Sequence, residues 1–247
     1  MAEYRAPSVE LAMRILKLLS RYKYKSCSLK EISELLNSNA ATCLRVLRTL
    51  AKDDFVSFHP ETKKYSLGPY LIPLGNRAKE LNGSASMAIA ELKSVVELTG
   101  LTTVLIERLQ DDHLIYIGSE EPSNEQVKIS VSIGQQFAID KVAFGRCFLA
   151  YDDEAGWERP DPSTLENLVQ KLREIRERGY VVSHGELTPG ISSFAAPIFD
   201  KTGHVQFVMA CLAMTTQLSR EQEPKVIDVL LEKTHKLSEW NNYPQSY

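Results

Sequence analysis

Apolar positions recur at two different periods along this chain, and the places where the period changes divide it into elements. In VELAMRILKLL, Val9, Ala12, Leu16 and Leu19, flanked by Met13 and Ile15, recur at helical spacing. This predicts a first helix, with Ser8 as its cap and Glu10 favourably placed in the first turn. Ser28-Leu29-Lys30-Glu31 then fits a capping box, in which the Ser28 hydroxyl accepts from the Glu31 amide and the Glu31 carboxylate accepts from the Ser28 amide. A second, short helix follows from about Leu29 to Leu36. Asn37-Ser38-Asn39 is a turn cluster, and beyond it Cys43, Val46, Leu47 and Leu50 form another stripe, so a third helix runs from about Asn39 to Lys52. The period next drops to two. Phe55–Phe58 and Lys64–Leu67 alternate on either side of His59–Lys63, which reads as a β-hairpin.

Two helices joined by a three- or four-residue turn make a helix-turn-helix, whose later helix enters the DNA major groove. If Cys43, Val46, Leu47 and Leu50 point inward, then Ala41, Thr42, Arg45, Arg48 and Thr49 point outward. Small residues let the helix backbone approach the groove, and arginine pairs with guanine edges or clamps phosphate. The same three helices also fit a packing module with an ordinary solvated face. The hairpin favours DNA, because its tip carries His59, Lys63 and Lys64 and occupies the place of a wing. The residues expected to face DNA are Ser28, Asn39, Ala40, Ala41, Thr42, Leu44, Arg45, Arg48, Lys63 and Lys64.

After Gly68-Pro69, Leu71, Leu74 and Ala78 suggest a connecting helix. Asn82-Gly83-Ser84 interrupts, and Ile89, Leu92, Val96 and Leu98 resume the helical pattern. The expected organisation is a winged helix over 1–68, a linker helix over 69–83 and a second domain over 84–247. In the last, Thr102–Leu109, His113–Gly118, Val127–Ile133, Tyr180–Ser183, Phe194–Phe199 and Val205–Leu212 are strand-like. Leu165–Arg178 and Glu221–Trp240 are helix-like, which makes the class α+β.

Charge sharpens this division. The 247 residues carry a net charge of −3, but residues 1–82 hold fourteen Lys/Arg and eight Asp/Glu, a balance of +6 that leaves −9 for the rest. A basic segment in a mildly acidic chain suits an anionic partner, with two unequally charged solvated surfaces as the plainer explanation. A hydrophobic content of 43% and a charged content of 25% are those of a packed globular chain. No apolar run approaches a membrane span and the start lacks a signal-peptide pattern, so the expected location is cytoplasmic and no membrane partner is expected. Cys27, Cys43, Cys147 and Cys211 are widely spaced, with no C-x-x-C pair to indicate a disulfide framework or a zinc knuckle. Cys147 and His184 are the one imaginable nucleophile and base, yet the thiol sits in the apolar run Phe144–Leu149; neither a phosphate-cradling glycine loop nor G-x-S-x-G is present. We expect no catalytic site, no metal and no cofactor.

The order of these elements resembles the IclR family of bacterial transcription regulators. The segments that carry the resemblance are SVELAMRILKLL, SLKEISELLNSNAATCLRVLRTLAKDDFV, KKYSLGP, VSIGQQFAIDKVAFGRCFLA and ERGYVVSHGELTPGISSFAAPIFDKTGHV, which together span nearly the whole chain. In the last segment the spacing of Arg178-Gly179-Tyr180, Pro189-Gly190, Ala195-Ala196-Pro197 and Gly203 is the most specific part. The resemblance implies an N-terminal winged helix for double-stranded operator DNA. It also implies a GAF-like or profilin-like effector-binding domain and self-association into dimers or dimers of dimers.

It further implies a pocket for a small organic acid, at positions that correspond here to Phe137, Ala143, Phe144, Ser183, Ile191, Ser193, Ala210 and Leu212, with Ser192 as a neighbouring donor. Where relatives often carry Asp, Cys, Ser and Ser, this chain has Ser183, Ser193, Ala210 and Leu212, and Arg146 stands in place of a usual Lys. A buried carboxylate that loses hydroxyl donors is disfavoured, so a larger acid with an apolar or aromatic body is expected rather than a very small polar one. A pocket closed into filled core would show the same substitutions. The competing reading of the whole is a sensor or scaffold whose winged helix contacts protein instead of DNA.

Overall fold

The computed structural model describes residues 6–110, 113–123, 129–152, 162–185 and 188–242. They fall into two compact units, residues 1–83 and 84–247.

In the first unit α1 (Pro7–Leu19), α2 (Leu29–Leu35) and α3 (Ala40–Lys52) precede a hairpin of β2 (Val56–His59) and β3 (Lys64–Leu67). Ser8 is not the cap of α1. Ala6 takes that place without a side-chain bond, because Pro7, which needs no amide partner, already occupies the first helical position. The buried face of α1 also differs from expectation: Leu11, Ile15, Leu18 and Leu19 point inward, while Val9 and Met13 are exposed. The capping box of α2 is present, with the Ser28 amide donating to Glu31 Oε2 at 2.7 Å and the Glu31 amide to Ser28 Oγ at 3.3 Å. Asn37 adopts φ of 47° in the turn before α3, a left-handed conformation that Asn tolerates well. The sequence does not foretell a two-residue strand, β1 (Cys27–Ser28), which pairs with β3 to complete a three-stranded sheet of order β1-β3-β2. One core holds the unit together, drawing on Leu11, Ile15, Leu18, Ile32, Cys43, Leu47, Val56 and Tyr65. Arg14 ties α1 to the end of α2 by donating to the Leu36 carbonyl. The last element is α4 (Leu71–Leu81), none of whose residues is buried.

The second unit begins with α5 (Gly83–Thr99). Its buried face is Ala85, Ala88, Leu92, Val95 and Val96, whereas the expected Leu98 is exposed. Six antiparallel strands follow, β4 (Thr102–Arg108), β5 (His113–Glu120), β6 (Gln136–Ala138), β7 (Val181–His184), β8 (Ile191–Phe199) and β9 (Val205–Met214), in the sheet order β6-β5-β4-β9-β8-β7. The expected strand Val127–Ile133 is not found. Residues 127 and 128 lie outside the described residues, 129–133 form no strand, and the edge of the sheet is β6 instead.

Both faces of this sheet are covered. Val104, Ile106, Val208, Ala210 and Leu212 pack toward α6 (Gly145–Tyr151) and α7 (Pro162–Arg178), while Leu105, Phe207, Met209 and Cys211 pack toward α5 and α8 (Glu223–Trp240). Double coverage explains why β8 and β9 read as nearly continuous apolar runs rather than alternating ones. Gly145 fits at the start of α6 because the backbone there runs close against the Ile139 carbonyl, where any β-carbon would collide.

Candidate functional site

Helix α3 presents the first candidate surface. Its N-cap Asn39 accepts through Oδ1 from the amides of Ala41 and Thr42, at 2.8 and 3.4 Å, which fixes the start of the helix. With Cys43, Val46 and Leu47 buried, Ala41, Arg45, Arg48 and Thr49 are exposed and share the outer face with the half-buried Thr42 and Leu44. No side-chain partner holds Arg45 or Arg48 among the described residues. Ser28 and Asn39 spend their side-chain oxygens on capping, so their contribution to this face is to place the helices. At the hairpin tip Lys63 is exposed with φ of 54°, Lys64 is half-buried and His59 Nε2 lies 2.8 Å from Ser66 Oγ. The face is small, cationic and free of carboxylates on α3.

The second candidate is a cavity of about 190 Å³ on the α6 side of the large sheet. Its aromatic wall is Tyr116, Phe137 and Phe144, with ring centroids 4.9 to 5.9 Å apart and edge-on or tilted. The sheet supplies its polar floor. Ser183 on β7 is the direct cross-strand partner of Ser193 on β8, and Ser193 is the partner of Leu212 on β9. Both serines are buried. Ser130, Gln135 and Thr188 add polar groups around the rim, and Ile129, Val131, Val142 and Ile191 complete an otherwise apolar lining. Burial pushes the Tyr116 hydroxyl well above its ordinary pKa, so it stays neutral.

Seven of the nine sequence-predicted pocket residues therefore meet: Phe137, Ala143, Phe144, Ser183, Ile191, Ser193 and Leu212 all line the cavity. Ser192 does not, because β8 alternates. Ile191 and Ser193 face the cavity, whereas Ser192 shares its side of the strand with Phe194, which packs toward α8. Ala210 is on the right face but is fully buried in the core beyond the lining. Sequence reading missed Tyr116, Gln135 and Thr188, which come from one strand and two loops far apart in the chain.

The sheet also separates Cys147 from His184. Cys147 lies on the α6 side, its Sγ 3.7 Å from the Ala195 carbonyl, and complete burial raises its pKa far beyond the thiolate range. His184 faces the other way, beside Phe194, with Nε2 3.6 Å from a Glu223 carboxylate oxygen. They form no nucleophile–base pair. Among the described residues no group of three or more His, Cys, Asp or Glu can hold a metal ion, and no helix is long and apolar enough to cross a membrane.

Residues 84–239 match the family model for the bacterial transcriptional regulator IclR C-terminal domain. The chain is 26% identical over 240 residues to the DNA-binding transcriptional repressor YiaJ of Escherichia coli K12, covering 92% of this chain and 84% of the repressor. In three dimensions it resembles an IclR transcriptional regulator from Alicyclobacillus acidocaldarius, with a TM-score of 0.90 and 51% identity over 96% of this chain and all of the other. It also resembles an IclR homologue from Microbacterium hydrocarbonoxydans complexed with 4-hydroxybenzoate, at 17% identity and a TM-score of 0.79, over 95% of this chain and 99% of that one.

Proposed function

Because the chain belongs to the IclR family of bacterial transcriptional regulators, whose members regulate transcription and are not enzymes, we propose that it binds operator DNA under the control of a partly apolar, ring-bearing organic acid. The observation that carries the ligand class is the cavity itself. An apolar cavity of roughly 150 Å³ is enough for benzene, and this one offers about 190 Å³ between three aromatic rings and two buried serines. The rings suit an apolar body, while Ser183, Ser193 and Thr188 supply donors for a carboxylate. That a family relative of the same fold is complexed with 4-hydroxybenzoate supports the same class.

In this reading residues 1–68 bind DNA, 69–83 connect, and 84–247 sense the acid. Ala40, Ala41, Thr42, Leu44, Arg45 and Arg48 meet the major groove, Ser28 and Asn39 hold the two helix starts at the backbone, and Lys63 and Lys64 reach flanking phosphates. Paired recognition helices on an approximately palindromic operator require at least a dimer. Helix α4 supports this, since Ile72 and Leu81 are 66% and 72% exposed and offer apolar surface for a second copy. The protein acts in the cytoplasm, where operator DNA lies.

Titrating the full chain with glyoxylate and with benzoate tests the ligand class. Benzoate binds more tightly in this account, and tighter binding of glyoxylate overturns it. Operator affinity measured against salt concentration tests the DNA assignment, because phosphate neutralisation releases counterions and gives a steep fall. A flat salt response would instead favour a winged helix that contacts protein.

A further inference from the structure

The row of residues beneath the cavity continues one strand further than its lining. Thr102 on β4, Leu212 on β9, Ser193 on β8 and Ser183 on β7 are successive cross-strand partners. Direct partners in an antiparallel sheet point to one face. On β4, Val104 and Ile106 pack toward α6 and α7 while Leu105 packs the other way, so Thr102 shares the cavity's side of the sheet. Its residue exposure is 1%, and its Oγ1 is the single buried side-chain oxygen or nitrogen without a hydrogen-bond partner among the described residues. Leu212 lines the cavity and stands between this hydroxyl and Ser193.

An unpaired buried hydroxyl is a cost that folding does not require, since an isosteric valine would fill the same space without it. A ligand would remove the cost. We infer that Thr102 is a polar subsite at the far end of the cavity, reached when the Leu212 side chain turns to its other common strand rotamer. This rests on the effector reading above and names the substituent the effector carries. A carboxylate needs several donors and goes to the end with Ser183, Ser193 and Thr188. Thr102 offers one neutral hydroxyl, which matches one neutral group that both donates and accepts. Two strand spacings, about 10 Å, separate the Ser193 and Thr102 positions, and the aromatic body spans them against Tyr116, Phe137 and Phe144. The ligand class is an aromatic monocarboxylic acid with a hydroxyl opposite its carboxylate.

Calorimetric titration of the full chain with benzoate and with 4-hydroxybenzoate, in the wild type, Thr102→Val and Thr102→Ser, decides this. The wild type binds the hydroxylated acid about tenfold more tightly, the size of one hydrogen bond to an otherwise unpaired group. Thr102→Val loses that preference, Thr102→Ser keeps it, and Thr102→Val melts at or above the wild-type temperature. Equal affinities in the wild type, a preference that survives Thr102→Val, or a valine variant that fails to fold overturns the Thr102 assignment while the effector reading stands. Failure of both acids to bind the wild type overturns the effector reading, and the subsite with it.

Discussion

Replacing Arg45 by Ala separates recognition from folding, because the structure gives the side chain nothing else to do. It is exposed on the outer face of α3 and has no side-chain partner among the described residues; the one contact nearby is Thr49 Oγ1 donating at 3.1 Å to the Arg45 carbonyl, which the substitution leaves in place. Alanine is also the better helix former. Unfolding free energy should therefore change by less than about 0.5 kcal/mol, as at other uncommitted surface positions. DNA affinity should change far more. A bidentate contact to a guanine edge carries about 1–3 kcal/mol of discrimination, or roughly 5- to 150-fold in Kd. A phosphate contact alone would weaken operator and random DNA alike and lower the salt slope by about one. Fluorescence anisotropy with operator and scrambled duplexes over a range of salt reads these apart, with denaturant melts as the control for folding. Loss on the operator exceeding loss on scrambled DNA assigns Arg45 to base reading. Unchanged operator affinity in a folded variant would refute the placement of α3 in the groove.

Three further outcomes follow from the two units. Leu212→Ser returns a hydroxyl to the cavity floor beside Ser193, so affinity for glyoxylate should rise relative to benzoate by about tenfold; calorimetry checks it, and an unchanged ratio would detach Leu212 from selectivity. Cys147 and Cys211 are fully buried, with the Cys211 thiol pushed up to about 11 by desolvation, so both should resist a thiol-modifying disulfide reagent at pH 8 until urea unfolds the domain. Hydrogen bonds from the Ser28 amide and hydroxyl hold the Glu31 carboxyl below its ordinary pKa. Its contribution is thus present above the unfolded value, near 4.3, and is lost as pH falls through the folded one, so Glu31→Gln should flatten the acid limb of thermal stability measured from pH 6 to 3.

Much of the first unit was legible because its signals are local. The Ser28–Glu31 capping box, the Asn39 cap and the alternating hairpin each depend on a few consecutive residues, and each forms as the residue types require. The face of α1 is ambiguous in the sequence because Leu11 through Leu19 offers two overlapping apolar stripes, and only contact with α3 and the sheet selects Leu11, Ile15 and Leu18. In the second unit the alternation through Val131 and Ile133 is real but misleading. Ile129 and Val131 cover the aromatic core and wall the cavity instead of pairing as a strand, and three residues, Gln136–Ala138, form the sheet edge in their place. Ser192 was excluded by register alone, since neighbours along β8 point to opposite sides. Tyr116 and Thr188 could not be assigned from sequence, because only the strand order β5-β4-β9-β8-β7 brings β5 and the β7–β8 loop around one cavity.

The most direct test of the account measures operator affinity of the full chain by anisotropy at increasing 4-hydroxybenzoate, with the reciprocal titration of the acid in the presence and absence of operator. If the cavity controls the DNA-binding surface, the acid shifts operator Kd by about 5- to 150-fold, and operator shifts acid Kd by the same factor, as linkage requires. An operator affinity that stays constant while the acid saturates its site would contradict it.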